Sequence, residues 1–313
     1  MNISDSSPSG PINADPKNAL RVCLGRQFAG RARQNKPLIL ADFLEKVGGK
    51  PVEPVSSSEN ADLVLASVLD LREIFERERR KIMAPKNLTL SSCARRYSDG
   101  RPILVVSFEN LQHPWWAEFC GLLSSSDIPR TSFFPASVDR GGARFPYWWN
   151  YLDWPAFPRP DADYRRYGRL YAMEKLLEPV SSPDDRLDKA CFIGSVEQTE
   201  PRRGILGWVD NEFGLDVFGR AGVPFSGPKL PLMSKYKYAV AAENSFGLGY
   251  DSEKLPEAWD AGCIPVGAFQ QPLSDFNPHA IGVDTNPGGP RHPLLLRPPD
   301  PTPLLEYLAA RLF

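Results

Sequence analysis

One segment, residues 236–267, restricts the fold of this chain more than any other. It contains an apolar run at 238–242, a helical pattern at 252–261 that ends at Gly262, and a second apolar run at 264–267. A strand, a helix and a strand in this order predict a βαβ unit with two parallel strands. Ligands of such units bind beyond the carboxyl ends of the strands. We therefore expect a binding site directly after residue 242.

The residues at this edge are polar and suit a phosphorylated ligand. They are Glu243, Asn244, Ser245, Tyr250, Glu253 and Lys254, with Gly247 and Gly249 between them. Lys254 falls in the first turn of the predicted helix, where the helix dipole disfavours a cation. A phosphate held by free N–H groups and the ammonium would offset that cost. The alternative is that Glu253 neutralises Lys254 on a solvated surface.

The rest of the chain predicts an α/β protein of two domains, since 313 residues with 42% hydrophobic content can build two cores. Further strands are expected at 21–24, 61–65, 103–107 and 190–194, and helices at 40–47, 69–83 and 304–312. The expected divisions are a disordered tail at 1–19, an N-terminal α/β domain at 20–155, a C-terminal α/β domain at 156–285, and a proline-rich tail with a short closing helix at 286–313.

The aromatic and proline-rich stretch at 145–160 is expected to link the two domains, because its prolines exclude one long regular element. Its aromatic rings could stack on sugar rings, but a packed linker is the more common arrangement and is favoured here.

Charge and composition limit the partners. The net charge is −1 with basic and acidic residues mixed, which argues against nucleic acid or an anionic membrane as the main partner. The sequence has no apolar run of about 20 residues and starts without the pattern of a signal peptide, which predicts a cytoplasmic protein and leaves peripheral membrane contact open. Five scattered cysteines fit a reducing compartment.

Two further positions are candidate site residues. Arg202 and Arg203 follow Pro201 at a predicted helix start, where a pyrophosphate would stabilise them. Alternatively, they are solvent-exposed and pair with nearby glutamates. Glu109 and Asn110 follow the strand at 103–107 and would face a cleft between the domains.

The order of these residues resembles a known signature. KYKYAVAAENS, then GYDSEK, then AGCIPVG are similar to the donor-binding motif of the α1,3/4-fucosyltransferases, glycosyltransferase family 10. The lack of a membrane-spanning run places the sequence nearer the soluble bacterial members of that family. The resemblance spans roughly residues 103–283. It implies a GT-B architecture, in which two Rossmann-like domains face each other across a cleft. The first would bind a saccharide acceptor and the second a nucleotide sugar.

The resemblance also implies roles for individual residues. Glu109 would be the catalytic base, with Asn110 beside it, in an inverting transfer of fucose from GDP-fucose to an acceptor hydroxyl. Arg202, or Arg203 in its place, and Lys254 would stabilise the diphosphate. The remaining donor-binding residues would be Glu243, Asn244, Ser245, Tyr250 and Glu253. A different nucleotide-sugar donor, or a non-catalytic saccharide-binding relative, remain the alternatives.

No metal is expected to be required, although a divalent cation could still raise turnover. Asp161 and Asp163 match the D-x-D pattern of metal-dependent transferases, but they lie in a proline-rich stretch, and His113, His279 and His292 lack ligand spacing. Pro256 departs from the family pattern and fits only a helix that starts late. We also expect no C-terminal anchoring repeats, because the sequence ends soon after the matched region.

Overall fold

The computed structural model describes residues 18–26, 28–29, 39–81, 88–107, 116–132, 141–157, 164–180, 185–194, 200–220, 222–268, 274–280 and 292–313. Within these residues the strands form one sheet of six and one of four. All pairs within both sheets are parallel. The predicted α/β class with two parallel sheets is confirmed.

The six-stranded sheet comes from the first half of the chain, in the order β2-β1-β3-β4-β5-β6. Its strands are β1 (Leu20–Leu24), β2 (Val52–Val55), β3 (Leu63–Ser67), β4 (Ile103–Val106), β5 (Arg130–Ser132) and β6 (Ala143–Arg144). The accompanying helices are α1 (Ile39–Gly48), α2 (Val68–Lys81), α3 (Leu90–Tyr97) and α4 (Ala117–Ser124). Every residue of β3 and β4 is buried, as expected for strands covered on both faces.

The four-stranded sheet has the order β10-β9-β7-β8. Its strands are β7 (Leu187–Gly194), β8 (Leu215–Gly219), β9 (Tyr236–Val240) and β10 (Ile264–Val266). The helices of this half are α5 (Met173–Leu176), α6 (Glu200–Phe213), α7 (Lys229–Met233) and α8 (Lys254–Asp260), followed by α9 (Thr302–Leu312) near the end of the chain. β9, α8 and β10 form the predicted βαβ unit, with Ile264 paired to Tyr238 in parallel register.

Two boundaries of this unit differ from the prediction. β9 ends at Val240 rather than 242, although the amide of Ala241 still donates to the carbonyl of Val266 at 3.1 Å. α8 begins at Lys254 rather than 252, and the amide of Ser252 donates to the carboxylate of Glu243. Because the helix starts late, Pro256 lies in its first turn. Backbone nitrogens in that turn have no intrahelical partner, so the proline costs no intrahelical hydrogen bond.

The aromatic stretch is packed rather than open. Residues Tyr147–Tyr151 form a 3-10 helix, and the rings of Trp148 and Trp149 are buried. Phe43 of α1 meets the ring of Trp154 edge-on at a centroid distance of 5.7 Å. Within the described part of the stretch, the packed interpretation holds over the sugar-stacking one.

The last helix returns to the first sheet. α9 packs against α1 and β6, and the hydroxyl of Tyr307 donates to the carbonyl of Gly141 and accepts from the amide of Arg130, both at 2.9 Å. None of the helices in the described ranges is long and apolar enough to cross a membrane.

Candidate active site

Glu243 is the centre of a hydrogen-bonded cluster just beyond the carboxyl end of β9. Its side chain accepts from the amide of Ser252 at 2.9 Å, from the Ser252 hydroxyl at 2.7 Å and from the ammonium of Lys254 at 2.6 Å. The glutamate is 7% exposed. A buried carboxylate needs this number of donors, because burial without them costs several kcal/mol, on the order of a lost ion pair. The βαβ unit therefore brings Glu243 of the first motif and Ser252 and Lys254 of the second motif together.

Lys254 is the first residue of α8, and its ammonium pairs with Glu243. The alternative, in which Glu253 neutralises Lys254 on a solvated surface, is wrong. Its ammonium also contacts the Ser252 hydroxyl at 2.7 Å, and its side chain is 22% exposed. Burial lowers the pKa of Lys254, but the carboxylates of Glu243 and Glu253 outweigh that effect and hold the pKa above its usual value. Lys254 therefore keeps its positive charge across the physiological pH range.

Glu253 is a second buried carboxylate at the start of α8. Burial raises its pKa, yet the positive charges of Lys254, Lys229 and Arg166 outweigh burial and lower the pKa to about 2. The guanidinium of Arg166 lies 3.6 Å from the carboxylate. Glu253 is thus ionised and can accept hydrogen bonds from hydroxyl groups.

Arg202 reaches the same edge from the first turn of α6. Its Nη2 donates to the carbonyl of Ala242 at 3.1 Å, and its guanidinium lies 5.9 Å from the centre of the Phe192 ring. The residue is 5% exposed, so the solvent-exposed alternative is wrong for Arg202, whereas Arg203 is exposed. Among the described residues, the buried Nε has no hydrogen-bond partner and the side chain has no ion pair. Burial lowers the pKa of Arg202, although the nearby Glu243 opposes this.

The remaining predicted donor-binding residues lie on the loop between β9 and α8. The hydroxyl of Tyr250 donates to Oδ1 of Asn244 at 2.9 Å. Asn244 is exposed and Ser245 is half-buried. Gly249 has a φ of +67°, a conformation that favours glycine and turns the chain back towards Glu243. The loop therefore carries both an anchored part and an accessible part.

Sequence reasoning missed Asp251, which is 6% exposed and precedes Ser252. Its Oδ2 accepts from the Ser274 hydroxyl at 2.9 Å and from the amide of Asp275 at 3.0 Å. Burial and the negative charge of Asp275 raise the pKa of Asp251 to about 7. An aspartate in a polar loop carries no sequence signal of burial, so only the fold reveals it.

Several predicted residues lie outside the described part of the structure: Glu109, Asn110, Asp161, Asp163 and His113. His279 and His292 are far apart in sequence, but their ring centres lie 5.7 Å from each other. In the described ranges, no group of three or more His, Cys, Asp or Glu side chains could hold a metal ion.

Two parallel sheets with the cluster at the carboxyl edge of one of them define an α/β protein of the GT-B type. No known family model matches the sequence, and no curated protein matches it. Among solved structures, a crystal structure of an α1,3-fucosyltransferase has a TM-score of 0.52 at 14% identity, covering 89% of this chain and 75% of that chain. The same type of enzyme with GDP has a TM-score of 0.49 at 13% identity, with the same coverage. The similarity to the first of these two structures supports the fold.

Proposed function

We propose that the protein is a glycosyltransferase that uses a nucleotide-diphosphate sugar. The observation that carries this proposal is the meeting of two cationic side chains, Arg202 and Lys254, at the carboxyl edge of the sheet. Arg202 hydrogen-bonds next to Glu243, and Lys254 contacts Glu243 itself. Among the described residues, Arg202 is near Glu243 but forms no direct ion pair, and its Nε has no hydrogen-bond partner. A diphosphate would supply the missing negative charge and accept from the buried guanidinium.

We further propose GDP-fucose as the donor and inverting transfer as the reaction. Support comes from the resemblance of residues 236–267 to the fucosyltransferase signature. Glu109, which follows β4, is the proposed base that takes the proton of the acceptor hydroxyl as it attacks the anomeric carbon. General-base catalysis of this kind contributes on the order of a hundredfold or more. No step requires a metal, because Arg202 and Lys254 stabilise the departing diphosphate.

The accessible and the buried polar groups would take different parts of the donor. Asn244 and Tyr250, at the exposed end of the loop, would contact hydroxyl or base groups of the nucleotide. Glu253 is ionised and accepts hydrogen bonds, which suits sugar or ribose hydroxyls. Glu243 would act mainly by holding Lys254, since its carboxylate oxygens already have three donors.

The test is calorimetric titration with GDP-fucose, GDP-mannose and UDP-sugars. We compare the wild type with Lys254→Ala and with Lys189→Ala, whose lysine pairs with Asp216 on the surface at 2.8 Å. GDP-fucose should bind to wild type and Lys189→Ala, and at least tenfold more weakly to Lys254→Ala, because a charge-assisted contact is lost. Thermal denaturation of both variants shows whether Lys254→Ala still folds.

Each other outcome separates a remaining alternative. If the wild type binds another nucleotide sugar more tightly than GDP-fucose, and Lys254→Ala abolishes that binding, the proposed transferase stands and fucose is not the donor sugar. Absence of binding to all of them would overturn the proposed function and favour the saccharide-binding relative. Equal binding by wild type and Lys254→Ala would remove Lys254 from the donor site.

A further inference from the structure

Asp275 connects the loop of the candidate site to the other sheet. Its backbone amide donates to Oδ2 of Asp251, which precedes Ser252 on the loop. Its carboxylate accepts from Nε of Arg144 at 3.1 Å and from Nε1 of Trp148 at 3.1 Å, and lies 2.7 Å from Nη2 of Arg144. One residue is thus bonded to the βαβ loop through its backbone and to the six-stranded sheet through its side chain.

The two ends of this connection lie on different parts of the fold. Arg144 is the last residue of β6, at the carboxyl edge of the first sheet. Trp148 belongs to the buried 3-10 helix that follows. Asp251 lies two residues after Gly249 and three before Lys254. Arg144 is therefore linked to the loop that precedes Lys254 through a short chain of hydrogen bonds.

We propose that Asp275 is a positioning residue, and that its bonds to Arg144 and Asp251 set the place of the Glu243–Lys254 loop relative to the six-stranded sheet. The inference rests on the proposed function, because the loop would hold the donor and the first sheet the acceptor. In transfer between two bound substrates, a shift of about 1 Å can cost on the order of a hundredfold in rate. Neither Asp275 nor Arg144 needs to touch a substrate for this effect.

The Arg144–Asp275 pair borders open space. Arg144 and Asp275 line a cavity of about 640 Å³ that also borders Tyr307 of α9. Their side chains are 20% and 26% exposed, so solvent only partly screens the ion pair. Ser274 and Asp275 border this open space, whereas the neighbouring Phe276 is buried against the ring of Trp148 at a centroid distance of 5.3 Å. The ion pair therefore restrains the part of segment 274–276 that packing does not cover.

Hydrogen exchange tests the connection without any ligand. The variants are Asp275→Asn, Arg144→Met, the double variant, and Arg144→Lys as the charge-conserving form. Amides of residues 250–254 should exchange about tenfold faster in each of the first two, since one charge-assisted contact is lost. The double variant should exchange no faster than either single variant. Arg144→Lys should restore part of the protection, because the ammonium keeps the charge but cannot reproduce both contacts of the guanidinium.

The decisive variant is Arg144→Met. The substitution lies in the first sheet, whereas the exchange rates that it should change are those of amides in the loop of the second sheet. Unchanged exchange of residues 250–254 in Arg144→Met would overturn the proposal. Arg79→Met, which breaks the exposed pair with Glu118, is the control and should leave these amides unaffected. Thermal denaturation excludes global unfolding as the cause. If Arg144→Met fails to fold, Asp275→Asn decides, since unchanged exchange of residues 250–254 in that variant would equally overturn the proposal.

A second readout addresses positioning in the reaction. With GDP-fucose, Asp275→Asn should keep its affinity within about threefold while slow release of GDP by hydrolysis falls tenfold or more, which a loss of stability alone would not produce. Equal losses of affinity and rate would overturn the positioning role. If the wild type binds no nucleotide sugar, the proposed function fails, whereas the exchange result still decides whether the connection exists.

Discussion

Asp251 is the residue whose charge depends most clearly on the fold. Burial and the negative charges of Asp275 and Glu243 raise its pKa to about 7, although the Ser274 hydroxyl and the Asp275 amide oppose the shift. The pKa of an aspartate in an unfolded chain is roughly 3.9. The folded state therefore holds a proton that the unfolded state has lost between about pH 4 and pH 7.

The stability that this proton contributes is fully present below the unfolded pKa and is lost as the pH rises through the folded pKa near 7. The free energy of unfolding should fall by about 2 to 3 kcal/mol more in wild type than in Asp251→Asn between pH 5 and pH 8. Urea titrations at four pH values measure the difference. Parallel pH curves for the two proteins would show that Asp251 ionises normally in the fold.

At the same scale, the sequence predicts the charged members of the site but not the bonds between them. Lys254 and Arg202 were found from their spacing within a signature, and both lie at the predicted edge. The partner of Lys254 is Glu243, eleven residues away, and not its neighbour Glu253. Such a choice depends on how the loop turns at Gly249, which residue patterns do not encode.

Among the elements, β10 and α6 meet at a junction that leaves no room for a side chain at Gly267. Gly267 has a φ of +62°, and a Cβ there would lie 2.3 Å from Cγ2 of Ile205 in α6. Gly267→Ala should lower the free energy of unfolding by about 3 kcal/mol, since it adds backbone strain and overpacking. Because Arg202 lies on the same helix, donor binding should weaken as well. Chemical denaturation and calorimetry measure the two effects.

Gly207 provides the matched control within α6. A Cβ at Gly207 would have no neighbour within 4 Å. Gly207→Ala should therefore raise the free energy of unfolding by about 0.5 to 1 kcal/mol, because alanine favours a helix over glycine. A stability loss in Gly207→Ala as large as that in Gly267→Ala would mean that α6, and not the junction, is the sensitive part.

Some of the elements were predictable, because buried parallel strands are short continuous apolar runs. The strands β2, β5, β6 and β8 and the helices α3 and α4 were not predicted. β4, β7 and β10 lie where such runs occur. The ends of the elements were less predictable, since hydrogen bonds to individual side chains decide them. β3 extends to Ser67, where the carboxylate of Asp70 accepts from the Ser67 amide and hydroxyl at 3.0 and 2.8 Å. That interaction starts α2 directly after the strand.

On the scale of the whole molecule, the sequence indicates two α/β domains but not how they are joined. One continuous core includes Leu20 of β1, Ala190 of β7 and Leu308 of α9. The joining contacts come from residues far apart in sequence, such as Arg144 with Asp275 and Arg130 with Tyr307. No local pattern carries such pairs, whereas the apolar periodicity of each sheet is local.

This joined core predicts how the chain unfolds. Removing the Tyr307 hydroxyl leaves the buried amide of Arg130 without that acceptor, while the carbonyl of Gly141 can still reach water. Tyr307→Phe should lower the free energy of unfolding by about 1 to 2 kcal/mol. Because α9 packs on the first sheet and shares the core with the second, the transition should shift as a whole rather than split.

Urea unfolding followed by both tryptophan fluorescence and far-ultraviolet circular dichroism tests this expectation. The two probes should give coincident curves for wild type and for Tyr307→Phe, with a lower midpoint in the variant. Glu306→Gln, at an exposed neighbouring position of α9, should leave the midpoint unchanged. Separate transitions in the wild type would mean that the two sheets unfold independently, and the hydroxyl of Tyr307 would then stabilise only the first of them.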